Sequence, residues 1–207
     1  MQLITTAPMR RTGGFTIIEL AIAMVIFGFL IMAAAPSLQD WFSNTRIRGT
    51  AESIQNGLQT ARAEAIRRNR SVSFWLVDND NPDKFLASCT VSDTGTAWMV
   101  SVNSPAGNCD DTPSQTDSPM IVTGRTAGDS GAHVVVTGTQ SDGSTAASSV
   151  TFNGFGGVTG SGSLGQIDIK SDTNDSASRS LRIVISASGM VRMCDPKVTS
   201  SGDPRKC

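Results

Sequence analysis

One carboxylate in this chain sits where a charge is hard to keep. Glu19 stands at the head of an apolar run that continues to residue 35. An ionised side chain among hydrocarbon groups is strongly destabilised unless a partner neutralises it, so the position is functional by default. A cut between Gly14 and Phe15 supplies the partner: Phe15 gains a free amine, and Glu19 becomes the fifth residue of the shortened chain. Cysteine is the other reactive type. Cys89, Cys109, Cys194 and Cys207 form an even set, and neither sequential pair has the C-x2-C spacing of a metal site.

The remaining candidates for chemistry are weak. His133 is the single histidine, so any nucleophile–histidine site must form around it; its apolar setting reads instead as a half-buried strand position. Gly160, Gly162 and Gly165 match the dinucleotide-binding glycine pattern, which needs a strand before it and a helix after it. A glycine-rich stretch precedes them and Gln166-Ile167-Asp168-Ile169 follows, so they read as a hairpin turn. Asp78, Asp80 and Asp83 carry oxygen ligands suited to Ca2+ but lack a calcium-loop spacing, and a solvated turn is expected there. No phosphate-binding G-x-x-x-x-G-K-[ST] loop occurs. The expectation is a non-enzyme without metal or cofactor.

Positioning Glu19 falls to the segment that bears it. As an α-helix, residues 15–35 reach about 32 Å, the thickness of a bilayer's hydrocarbon core. Arg10 and Arg11 precede the run and hold that end in the cytoplasm, which sends the rest of the chain outward. A secretory signal peptide cut near Ala33-Ala34-Ala35 and a plain single-pass anchor both fit the apolar run. Neither gives a reason for Glu19. Pro36 removes a backbone donor and should kink the helix. The helical pattern then resumes: Ile47, Ala51, Ile54, Leu58, Ala61 and Ala65 are spaced 4, 3, 4, 3, 4 and make one apolar stripe. Such a stripe needs a covering layer, most simply a β-sheet from the rest of the chain.

After Asn69 the composition turns to Gly, Ser, Thr and Asp, with short β-branched runs at 71–77, 97–102, 133–137, 149–153, 166–170 and 180–186. Net charge is −1, and it is unevenly spread. Residues 37–70 hold six Arg against one Asp and two Glu, 71–189 hold twelve Asp against five Lys or Arg, and the tail holds four cations against two acids. An acidic body disfavours broad attraction to DNA or anionic lipid. All four cysteines lie on the outward side, where two disulfides are expected. Three connectivities are open; Cys89–Cys109 and Cys194–Cys207 each bracket one irregular loop and are preferred.

Gly13-Gly14-Phe15-Thr16-Ile17-Ile18-Glu19 resembles the type III signal of type IV prepilins and type II secretion pseudopilins. Ala61-Arg62-Ala63-Glu64-Ala65-Ile66-Arg67-Arg68-Asn69, with Val72 beyond, resembles the AR-x-EAI-x-RN signature of the GspH/FimT group of minor pilins and pseudopilins. Val150-Thr151-Phe152-Asn153-Gly154 and the run from Leu181 to Ser186, with Gly189 and Val191, resemble the group's final sheets. The resemblance implies an α+β, pilin-like fold in which a long N-terminal helix packs on an antiparallel β-sheet head. It implies a leader at 1–14, an assembly helix at 15–36, an amphipathic helix at 37–70 and a head at 71–207. Prepilin peptidase would cut after Gly14 and methylate Phe15, and Glu19 would pair with a neighbour's N-terminus. Partners would be other pilins or pseudopilins and an inner-membrane assembly platform. The subunit would wait in the inner membrane with its head in the periplasm, then join a pilus or pseudopilus. A competing role is capture of extracellular DNA. Some FimT-type pilins carry a Gly-Arg-x-Arg motif for this; the chain reads Gly189-Met190-Val191-Arg192, without the first arginine. Arg192, Lys197, Arg205 and Lys206 remain as candidate contacts, on a segment read as a loop.

Overall fold

The computed structural model describes residue 14 and residues 16–128, 133–173 and 179–207; the side chains at 33–39 also fall outside the description. Arg10, Arg11 and Phe15 are therefore outside it. Two compact units are present, Met1–Gln39 and Asp40–Cys207. One helix, α1 (Ile17–Arg68), contributes to both. Thr16 starts it: its carbonyl accepts from Leu20 N at 3.1 Å and its hydroxyl from Glu19 N at 3.3 Å, so the Thr-x-x-Glu spacing works as a cap. The helix does not stop at Pro36, and the kink expected there involves side chains outside the description.

In the first unit the described apolar side chains of α1, among them Ile17, Phe29 and Met32, are all exposed. Among the described residues no helix is long and apolar enough to cross a membrane. The span expected at 15–35 thus goes unmet within the description, because Phe15 and the side chains from 33 onward lie beyond it.

The second unit is an α+β head. Ten strands follow α1: β1 (Val72–Asp78), β2 (Thr90–Val91), β3 (Ala97–Ser101), β4 (Ile121–Arg125), β5 (Val134–Thr139), β6 (Ser149–Phe152), β7 (Val158–Thr159), β8 (Gln166–Ser171), β9 (Leu181–Ile185) and β10 (Val191–Cys194). They form two antiparallel sheets. The first has the order β4-β3-β1-β6-β7, with β2 beside β1; the second is β10-β9-β8-β5. All six stripe residues of α1, from Ile47 to Ala65, are buried. They share one core with Phe74, Leu76, Val100, Val150 and Phe152 of the first sheet and Val136, Ile167, Ile169 and Ile183 of the second. The strands supply every second residue to that core, as the pleat requires.

The first sheet is covered on its outer face too. Val77, Ala97, Met99 and Ile121 pack there with the bonded Cys89 and Cys109, and Phe85 and Val91 lean on them. Phe85 and the disulfide-bonded segments around Cys89 and Cys109, which lie before and after β3 in the chain, therefore act as a lid over the sheet. That is why β3 is buried at all five positions instead of alternating. The glycine-rich segment corrects one expectation. It follows β7 of the first sheet and precedes β8 of the second, so it carries the chain between sheets and is no hairpin turn. His133 corrects another. It takes a left-handed φ of 62° just before β5 and is exposed, its Nδ1 lying 2.9 Å from Asp172 Oδ2. The strand begins one residue later than the apolar pattern suggested.

Candidate functional site

Glu19 lies in the first turn of α1, exposed. Its carboxylate has no ion-pair partner among the described residues. Its backbone N–H is engaged by Thr16, so the cap holds the residue in place while the carboxylate stays available. Gly14 is exposed, and a Cβ built there meets nothing within 4 Å. Phe15, the other half of the expected cleavage site, is outside the described residues.

The far end of α1 is closed by the residues of the helix signature. Asn69 adopts a left-handed φ of 47°. Asn69 N donates to Ile66 O at 3.2 Å and Arg70 N to Ala65 O at 3.2 Å, the paired bonds of a Schellman stop. Glu64 accepts from both Arg67 and Arg68, each at 2.6 Å. The Arg67 hydrogen bond, then that of Arg68, hold its carboxyl below the ordinary range despite partial burial. Arg62 reaches away from the helix. Its Nε donates to Gly156 O at 3.0 Å and its Nη2 to Ser188 O at 3.5 Å. One guanidinium thus ties α1 to the β6–β7 turn and the β9–β10 turn, one from each sheet.

Glycine makes that approach possible. A Cβ on Gly189, whose φ is 77°, would stand 1.9 Å from Gly156 O, and one on Gly154 would stand 2.5 Å from Asn69 Oδ1. Asn153 fixes the β6–β7 turn by accepting from Phe155 N and Gly157 N, both at 3.0 Å. The clamp formed by Arg62, Asn153, Gly156 and Gly189 was not foreseen from sequence. Its signal was the glycine density after Phe152, together with an arginine off the apolar stripe.

At the chain's end the structure joins Cys194 to Cys207, with Cα atoms 5.1 Å apart. Arg192 belongs to β10 and not to a loop, because β10 pairs in register with β9 opposite Val184. Its Nη1 donates to Lys206 O at 3.4 Å. Asp195 N donates to Arg205 O at 2.7 Å and Lys197 N to Asp195 Oδ1 at 2.9 Å, which folds the tail back on itself. Arg205 is committed: its guanidinium binds both oxygens of Asp203, at 3.1 and 2.7 Å. That contact pulls the Asp203 carboxyl down to about 2. The loop at Asp78, Asp80 and Asp83 is held by amides: Leu86 N donates to Asn79 Oδ1 and Asp83 N to Asn81 Oδ1, each at 2.9 Å.

Two family models match. The prokaryotic N-terminal methylation motif covers residues 9–35. The type II transport protein GspH covers residues 50–189, more than half of the chain. The chain belongs to the GspH family. Its match opens inside the buried stripe of α1 and ends at Gly189 of the clamp, so it takes in the helix signature and every strand but β10. Members of this group are pilin-like subunits, of type IV minor pilin or GspH pseudopilin character, and the helix-on-antiparallel-sheets architecture agrees with that. Among solved structures, this GspH-family chain is similar to the type IV minor pilin FimU of Pseudomonas aeruginosa (strain PAO1) in two crystal forms. One is 15% identical with a TM-score of 0.46 over 76% of this chain and 94% of that one. The other is 13% identical with a TM-score of 0.42 over 74% and 97%. No curated protein matches the chain.

Proposed function

We propose that this GspH-family chain is a minor subunit of a type IV pilus or a type II secretion pseudopilus. Prepilin peptidase cuts it after Gly14 and methylates Phe15. Residues 15–35 hold it in the inner membrane with the head in the periplasm. An assembly platform then draws it into a fibre by stacking N-terminal helices, near the tip, where it primes assembly. One observation carries the reading: within the methylation-motif match, Glu19 stands on the first turn of α1 with no partner among the described residues. A carboxylate in an apolar stretch is stabilised by a cation, and a neighbour's new terminal amine is one of the right charge and depth. Glu19→Ala should leave insertion and cleavage intact and abolish incorporation into the fibre; normal incorporation overturns the proposal. Intact mass of the mature chain should correspond to loss of residues 1–14 and gain of one methyl group. A mass set by cleavage near Ala35 means that a signal peptidase processed it.

Capture of DNA is the second reading, favoured by the Cys194–Cys207 link, which draws Arg192, Arg205 and Lys206 to one edge. The Asp203 contact offsets the charge of Arg205. No aromatic residue in the tail could stack a base. A gel shift at low salt, lost in Arg192→Ala, would support it; no shift removes it.

A further inference from the structure

Beyond the apolar run, the large hydrophobic side chains exposed among the described residues are Trp41, Phe42, Ile66, Phe155 and Met190. Trp41 and Phe42 make the densest pair. Their ring centroids lie 5.1 Å apart at 64°, and they are 60% and 52% exposed. They face away from their own head. At 100° per residue, Trp41 falls about 120° to one side of the buried stripe and Phe42 about 140° to the other. The rings therefore form one patch on the solvent side of α1 and leave its stripe to the sheets.

We propose that Trp41 and Phe42 seat in the outer headgroup layer of a bilayer, with Arg46 reaching toward anionic lipid phosphates. The proposal rests on the reading that residues 15–35 are anchored in that bilayer. Trp41 lies six positions beyond residue 35, a tether of about 9 Å if helical and at most about 20 Å if extended. The headgroup layer adds about 5–8 Å on each side of the hydrocarbon core. Helical side chains lean toward the N-terminus, which brings both rings back toward it. Indole suits that layer, because its ring is apolar and its N–H is polar.

Charge agrees with the site. Arg46 is exposed with no ion-pair partner among the described residues, whereas the charge of Arg48 is offset by Glu52 at 2.9 Å. Asp40, beside Trp41 in sequence, is half buried, and its place on the helix is with the stripe. Anionic headgroups attract such juxtamembrane cations.

Depth-dependent quenching tests the seat. The full chain is reconstituted in phosphatidylcholine–phosphatidylglycerol vesicles brominated near the headgroup (carbons 6,7) or deeper (carbons 11,12). The other tryptophans are sheltered: Trp98 is buried, and the ring nitrogen of Trp75 is out of solvent. The shallow bromines should quench native emission about twofold more than that of Trp41→Phe, and the deep bromines less so. Retention through an alkaline wash reports the anchor separately. A chain that stays with the vesicles but is quenched equally with and without Trp41 overturns the seat alone. A chain that washes off overturns the anchor and the seat together.

Discussion

Gly57→Ala sets two effects of opposite sign against each other. In an exposed helix interior the change stabilises by about 1 kcal/mol, because alanine gives up less backbone freedom on folding. Gly57 is not exposed. It is buried at the point where α1 meets the first sheet, and a Cβ there would lie 2.8 Å from Phe74 Cε2 and from Trp98 Cδ2 and Cε3. Neither ring can give way easily. Phe74 and Trp98 stack with centroids 5.9 Å apart. Trp98 Nε1 also donates to Ser53 Oγ, one turn back along the same helix, at 2.9 Å. Forcing a methyl into such packing costs about 1–3 kcal/mol. Its sum with the propensity gain is then a net loss of about 1 kcal/mol, reaching about 2 if the Trp98 hydrogen bond is also stretched. For a domain of this size that lowers Tm by about 3–6 °C. The assay is thermal unfolding of the full chain in detergent, followed by near-UV circular dichroism, to which the packed Trp98 contributes. A rise in Tm would mean that α1 does not sit on the sheet at Gly57, and the packing account of the head would fail with it.

Arg62→Ala removes the clamp between both sheets and α1. Its charge-assisted bond to Gly156 O implies a loss of about 1–2 kcal/mol, readable by urea unfolding. Arg62→Lys should recover only part of it, since an ammonium cannot span both turns. Glu64 titrates below the ordinary range when folded. The stability it adds is therefore complete above the unfolded pKa of about 4.3 and is lost as pH falls through the folded one. Melting between pH 7 and pH 3 should fall less steeply in Glu64→Gln than in the native chain. Opening Cys89–Cys109 by a Cys→Ser pair should cost about 3 kcal/mol by loop closure. It should also expose the outer face of the first sheet to a hydrophobic dye.

Much of this architecture could be read from residue order. The stripe from Ile47 to Ala65 announced its burial by spacing alone, because a helix shows one face at that period whatever covers it. Six of the strands were visible as β-branched runs. The four that were missed, β2, β4, β7 and β10, carry weaker local signals. β2 and β7 are two residues long. β4 contains Gly124, a weak strand former, where an added Cβ would stand 3.0–3.2 Å from Phe85 and Met99. β10 holds Arg192 and Met193 and exists because β9 offers it an edge. What local sequence could not encode was which chain segments meet. Gly156 and Gly189 lie far apart in sequence, and only the folded head makes their closeness, with Arg62 between them, a single feature.

The same reasoning separates the two ends of α1. At the C-terminal end every unusual residue has a local account: Asn69 stops the helix, Glu64 binds two arginines, and Arg62 binds two turns. At the N-terminal end Thr16 accounts for the cap, yet a cap does not require a carboxylate at position 19, since the hydroxyl already takes the Glu19 N–H. No described contact of the second unit uses Glu19. A carboxylate that no described contact of the head uses, in the segment proposed to lie in lipid, is best explained by a partner that arrives after folding. That distinction is why Glu19→Ala should change assembly and leave the melting of the head where it was.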